Sequence, residues 1–400
     1  MLDDLNGHYY EVKTTDDTSG FTWGSTETEW KFYQMTGADW DDYRWEEILD
    51  QMTINESMYM AAFGGPTLPS AATIGFEEIS MTENNGNGIV YRFNQNLDPN
   101  APWAIPETDK NAAWNGQVFG ASPLLASTFN PDLFKIRGEF VGTESLFLGV
   151  PIIWGPGLNT HRQAYTGRNC EYYSEDPVLS GIIAMEFSYG CAEYGLIAAP
   201  KHFAFNDQET NRNGVAPFMT EQRAREVELR AYQIAIEAPK YEEEGFGMFG
   251  LMTDILKEEW GFHGYAVTDI FDDTDLYTSC VYAGITGYDL RGSQNFDTTQ
   301  SLNANSRFRD GSQVDPTPLT ADAYAGDAAM MQALKDNNKN LLWAICQSNL
   351  MNRYNASTHV VWQMTSWRAA YIAAITVTAV LTAGMIALYV ISVVKTKEGK

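Results

Sequence analysis

Apolar positions recur along this chain in two rhythms, one helical and one strand-like. From Trp40 the run DDYRWEEILDQMTINESMYMAAF puts Trp45, Ile48, Leu49, Met52 and Ile54 near one face, which predicts a helix. Upstream, Met1 to about Ala38 is polar and aromatic without clear periodicity, and reads as a lead-in or the end of a preceding domain. Asn84 to Gly88 (NNGNG) is a turn cluster. Beyond it, short apolar runs alternate with helical segments. LGVPIIWG is an apolar run ending in Gly-Pro-Gly. Asp176-Pro177 opens a helix through about Tyr194, with proline in the first turn and an acidic neighbour at the positive helix start. GLIAAP is a strand, and Lys201 and His202 follow it directly. Thr220 is placed as the N-cap of EQRAREVELRAYQIAIEA. LMTDILKEEW is a helix closed by Gly261, and GYAVTD is a strand ending in Asp269. Such alternation predicts a parallel α/β architecture.

One segment departs from this pattern. Ala369 to Val394 reads AAYIAAITVTAVLTAGMIALYVISVV and carries no charge. As a helix it would be about 39 Å long, enough to cross an apolar core of about 30 Å with some tilt. A buried core helix is the other reading, opposed by the length and the lack of polar breaks. Trp362, Trp367, Arg368 and Tyr371 flank one end, and Lys395, Lys397 and Lys400 the other. The lysines predict a single-pass protein of the cell membrane with a cytoplasmic C-terminus and the remainder extracellular; Arg368 weakens the asymmetry. MLDDLNGHYYEV is not a signal peptide. The expectation is therefore a C-terminal portion of a longer secreted precursor.

The net charge of -26 argues against a nucleic-acid partner, whose phosphates demand Lys and Arg. It favours neutral or cationic ligands. Aromatic residues make up 13% of the chain, a content that suits stacking on pyranose rings as well as plain packing. Cys170, Cys191, Cys280 and Cys346 are scattered without CxxC spacing. The histidines show no HExxH arrangement, so neither a metal nor a cofactor is expected.

Polar residues follow three separate apolar runs: His161 and Arg162, Lys201 and His202, and Asp269. In a (β/α)8 barrel, functional residues lie at the C-terminal ends of the strands, on one face. Taken singly, Asp269 could also be a helix N-cap, and Lys201-His202 a satisfied core pair.

The segments GPGLNTHRQAYTGRNCEYYSEDPVLSG, KHFAFNDQETNR, TEQRAREVELRAYQIAIE, LMTDILKEEWGFHG and TDI resemble the N-terminal barrel domain of glycoside hydrolase family 3, the β-glucosidase and β-xylosidase family. The likeness extends over roughly Trp40 to Asn355. It implies an α/β fold, a (β/α)8 TIM-like barrel. Between Ala238 and LMTDIL only PKYEEEGFGMFG stands where the family has a strand, so one strand is expected to be missing. The implied domains are 1–39 as lead-in, 40–355 as barrel, 356–368 as juxtamembrane linker, 369–394 as transmembrane helix and 395–400 as cytoplasmic tail.

The resemblance also implies roles. Asp269 stands where the family has its nucleophile, in Thr268-Asp269-Ile270 rather than Ser-Asp-Trp. Arg168, Lys201 and His202 stand where the family binds sugar hydroxyls, and Glu209 and Arg212 in the motif behind them. Asn85 replaces a sugar-binding carboxylate, since NNGNG stands where the family has Asp-Gly-Pro. The loop FAFNDQETNR lacks the His-Asp pair of the family's β-N-acetylhexosaminidases. The implied activity is a retaining, exo-acting β-glycosidase acting on a β-linked oligosaccharide or glycoside. Its acid/base carboxyl has no place in this chain and is expected from an upstream domain. The alternative is an inactive, membrane-anchored barrel that binds glycans.

Overall fold

The computed structural model describes residues 17–62, 67–83, 89–92, 113–206, 208–210, 217–236, 243–244, 250–268, 281–287, 326–351, 364 and 366–398. One compact unit spans Met1–Arg353 and a second spans Tyr354–Lys400.

Helices α1 (Arg44–Gln51) and α2 (Ile54–Ala62) stand where the pattern predicted one helix. The break is a reciprocal cap: the Thr53 N–H donates to Glu56 Oε2 at 2.9 Å and the Glu56 N–H donates to Thr53 Oγ1 at 3.2 Å. Trp45, Ile48, Leu49 and Met52 are buried as the periodicity required, together with Phe32 and Met35, so packing runs across the 39/40 boundary.

The strands are β1 (Thr67–Leu68), β2 (Ile79–Ser80), β3 (Thr82–Glu83), β4 (Val90–Arg92), β5 (Ala113–Asn115), β6 (Ile152–Gly157), β7 (Ile197–Lys201), β8 (Glu243–Glu244) and β9 (Ala266–Val267). Two antiparallel pairs, β1–β2 and β4–β5, lie beside the parallel set. β3, β6 and β7 form one parallel sheet, and β8 pairs with β9 in parallel. A single parallel bridge continues from Val267 to Gly287. No strand was expected between Ala238 and Leu251, yet β8 lies there. Two residues joined through their backbones leave no apolar pattern to read.

Both faces of this sheet are covered, as parallel sheets require. Ile153 and Ala198 enter one apolar cluster, while Ile152, Trp154, Ile197 and Ala199 enter the other. The first cluster holds α3 (Pro131–Leu148) and α4 (Pro177–Ala192). Their ends are set locally. Asn130 accepts the Asp132 N–H at the start of α3, and Gly149, with φ 72°, ends it. Asp176 accepts the N–H groups of Val178 and Leu179 at 2.8 and 3.2 Å to start α4. α3 and α4 touch through glycines: a Cβ on Gly138 would stand 2.0 Å from the Phe187 carbonyl oxygen, and one on Gly190 would stand 2.1 Å from that of Lys135.

Thr220 caps the next helical run as expected, accepting the Arg223 N–H. That run contains a π segment, Ala224–Glu228, before α5 (Arg230–Ile236). Gly250–Glu259 is π-helical and is followed by Gly261 at φ 70°. α6 (Ala328–Cys346) is capped by Asp327, which accepts the Met330 N–H.

In the second unit, α7 (Ser366–Glu398) includes Ala369–Ile391, long and apolar enough to cross a membrane. Three of its threonine hydroxyls are satisfied internally. Thr376, Thr378 and Thr382 each donate at 2.8 Å to the carbonyl four residues back.

Candidate functional site

β6 and β7 run parallel, so their C-terminal ends share one edge of the sheet. Their register shifts at Trp154/Gly155, just before Pro156, which has no N–H for the ladder. Pairing resumes at Leu158, whose N–H donates to the Lys201 carbonyl at 2.5 Å. Asn159 then closes the two strand ends. Its Oδ1 accepts the His202 N–H at 2.6 Å, and its Nδ2 donates to the His202 carbonyl at 2.9 Å. The peptides Lys201–His202 and Phe203–Ala204 are cis. Lys201 and His202 are each 2% exposed, so both predicted ligands sit inside the protein at this edge.

A hydrogen-bond chain fixes the His202 ring. Glu209, a carboxylate that only accepts, receives a hydrogen bond from Asn206 Nδ2 at 3.0 Å. The same Nδ2 donates to the Tyr172 hydroxyl at 3.0 Å. That hydroxyl therefore turns its proton toward His202 Nδ1, 3.1 Å away. Nδ1 becomes an acceptor and the ring proton resides on Nε2, a donor suited to a hydroxyl oxygen. Burial pushes the Tyr172 phenol up and keeps it neutral, with Arg168 opposing. Tyr172 also lies on the strand end itself, since a Cβ on Gly157 would stand 2.8 Å from its Cδ1.

Arg168 is gripped by two carboxylates. Its Nε and Nη2 donate to Glu171 at 3.0 and 2.7 Å, and Glu209 Oε1 lies 3.8 Å from Nε. Burial opposes the charge, but these hydrogen bonds and both negative charges prevail and raise the pKa. Glu209 in turn packs its Cγ against Gly167, whose φ is +91°. His161 is tethered through Nε2 to the Tyr172 carbonyl at 3.1 Å, and Arg162 Nη2 donates to the Phe218 carbonyl at 3.4 Å. Behind them, Thr160 donates to the buried carboxylate of Glu228, which also pairs with Arg223 at 2.7 Å.

The structure thus joins Arg168, His202 and Glu209 in one network. Asp269, Asn85 and Arg212 lie outside the described residues. Thr268, just before Asp269, is buried and donates its N–H to the Gly287 carbonyl at 3.1 Å. Sequence reasoning missed Asn159, Tyr172, Asn206 and Glu228. All four stood within the segments that carry the resemblance, but none was singled out there. No cluster of His, Cys, Asp and Glu suited to a metal occurs among the described residues.

Residues 111–242 match the glycosyl hydrolase family 3 N terminal domain. Over this segment the chain is similar to glycoside hydrolase family 3. The matched segment carries Arg168, Glu171, Tyr172, Lys201, His202 and Glu209. A beta-glucosidase of Ruminococcus albus is 37% identical over 157 residues, covering 36% of this chain and 17% of the relative. Beta-glucosidase BoGH3A of Bacteroides ovatus is 28% identical over 260 residues, covering 60% of this chain and 33% of the relative. Among solved structures, beta-glucosidase 3B from Thermotoga neapolitana in complex with glycerol superposes with a TM-score of 0.61 at 26% identity, covering 77% of this chain and 43% of that one. A beta-glucosidase from Paenibacillus barengoltzii shares the fold with a TM-score of 0.63 at 22% identity, covering 85% of this chain and 37% of that one. The chain spans less than half the length of each of these relatives.

Proposed function

We propose that this chain is the sugar-holding part of a retaining, exo-acting β-glycosidase of the β-glucosidase type. The observation that carries the reading is the network at the ends of β6 and β7, where Arg168 and His202 are fixed by Glu171, Glu209, Asn206 and Tyr172. Pre-oriented charged and neutral donors grip sugar hydroxyls without reorganising. Asp269 is assigned as nucleophile, attacking the anomeric carbon to give a covalent glycosyl-enzyme that water then hydrolyses. The acid/base carboxyl is assigned to a further domain of the parent protein. Lys201, Asn85 and Arg212 are assigned to the same subsite. The parallel strands are assigned to a closed barrel over 40–355, and Ala369–Ile391 to a single membrane span with the catalytic part outside the cell.

The test is hydrolysis of an aryl β-glucoside by the parent protein, with loss of turnover in Asp269→Ala. Mass spectrometry after a 2-fluoro glucosyl probe should find one adduct, on Asp269. An active protein that forms no adduct there removes the nucleophile assignment. A second reading, a glycan-binding barrel without turnover, is favoured by Asn85 standing where the family has a carboxylate. It predicts saturable glucoside binding with no hydrolysis by the parent protein.

A further inference from the structure

We propose that Arg137 forms an internal site for one small monovalent anion of the halide class. Arg137 stands on α3, away from the glycoside network, and is 2% exposed. Its Nε and Nη1 are buried and meet no acceptor among the described residues. The guanidinium lies over two rings, 5.5 Å from the centroid of Phe119 and 5.2 Å from that of Phe187. Such ring faces offset only part of the cost of burying a charge. An arginine cannot escape that cost by losing its proton.

Among the described residues no carboxylate pairs with it. Glu144, on the same helix, is engaged by the N–H groups of Ile89 and Gln117 at 2.8 and 2.5 Å. Tyr173 and Cys191 are the ionisable groups whose fields reach Arg137, and burial pushes both pKa values up, Tyr173 to about 12. Both are therefore neutral near pH 7. The Tyr173 hydroxyl is itself buried and without a partner among the described residues. Two orphaned donor groups in one apolar cluster, one of them cationic, describe a small anion site. The charge matches a single negative ion. The phenyl rings supply no donor and the thiol only a weak one, so a carboxylate, sulfate or phosphate would leave oxygens unpaired. A halide has no such requirement.

The test is thermal unfolding of the full chain in micelles, in sodium gluconate and then in sodium chloride or bromide at equal ionic strength. Halide should raise the wild-type midpoint by a few degrees, because a ligand that binds only the folded state stabilises it. Arg137→Met should melt at the same temperature in both salts. In gluconate it should be at least as stable as wild type, having lost an unpaired buried charge. Tyr173→Phe, which keeps the arginine, should show a reduced halide response. A wild type indifferent to halide, or an Arg137→Met variant with the full response, overturns the site. So does an Arg137→Met variant that is much less stable in gluconate, since the charge would then already be compensated.

Discussion

Asn159→Ala tests whether the strand ends, rather than the loop beyond them, hold His202 in place. Asn159 is 4% exposed and reaches forty-three positions along the chain to bond both backbone groups of His202. Alanine removes both of these hydrogen bonds to the His202 backbone. His202 is itself 2% exposed, so water has little access to replace them. Each orphaned buried backbone group costs about 1–3 kcal/mol, so the pair should cost about 3 kcal/mol in all. Asn206→Ala is the contrast. Its side chain is only half-buried, water can take its place, and the loss should be about 1 kcal/mol.

The assay is urea unfolding in micelles followed by tryptophan fluorescence. Trp154, 3% exposed on β6, reports on the strand that carries Asn159. A midpoint shift for Asn159→Ala corresponding to less than about 1 kcal/mol would refute the reasoning, because two buried backbone groups cannot lose these bonds that cheaply. Equal losses in the two variants would also refute it.

Gly138→Ala drives a methyl to 2.0 Å from the Phe187 carbonyl oxygen, so α3 and α4 must separate; a loss of about 3 kcal/mol or more in urea unfolding is expected, and a neutral result would mean that the helices do not meet at this glycine. Tyr172→Phe removes the hydroxyl that fixes the His202 tautomer, and should raise KM for an aryl β-glucoside about tenfold in the parent enzyme while costing about 1–2 kcal/mol of stability. An unchanged KM would leave the hydroxyl with a packing role only. Lys257, whose ammonium donates to the Gly284 carbonyl, is pushed down to about 8 by burial, with Asp336 opposing. Between that value and the ordinary one near 10.5 the unfolded chain binds the extra proton, so folded stability should rise from pH 8 to pH 10.5 by roughly 3 kcal/mol. Lys257→Met should flatten this rise, and an unchanged slope in the variant would assign it elsewhere.

What was legible in the sequence was local. Asp176, Thr220 and Gly261 act within a few residues of themselves, and each begins or ends a helical segment as its chemistry demands. β7 was readable because both of its faces are buried, which leaves a continuous apolar run. The break at Thr53 had a signal that was passed over, the Thr-x-x-Glu pair that becomes the cap of α2. β8 had none, since two residues paired through their backbones impose nothing on their side chains. The same division holds in the site. Arg168, Lys201, His202 and Glu209 were named because they occupy a motif. Asn159 and Asn206 lie in the same matching segments but were not, because an asparagine that bonds backbone or a distant side chain looks like any loop asparagine. The candidate ligand-binding residues could be named from their motif, whereas the bonds that orient them become visible only when distant segments meet.

The charges of the site bear on what it can hold. Arg168 enters it already paired with Glu171 and lying beside Glu209, so its positive charge is spent within the protein. Lys201 adds one positive charge and Glu209 one negative, while Tyr172 is held neutral and His202 is tautomerically fixed by a neutral hydroxyl. Summed, the described groups balance close to zero within a chain whose net charge is -26. Among the described groups an anionic ligand would find no uncompensated cation, and it would meet a repulsive field outside. A neutral polyol meets different terms, because each hydroxyl both donates and accepts. It can take a proton from His202 Nε2 or a guanidinium edge and give one to a carboxylate in the same network. Within the described groups, electrostatics therefore favours a neutral, hydroxyl-rich ligand over an acidic one.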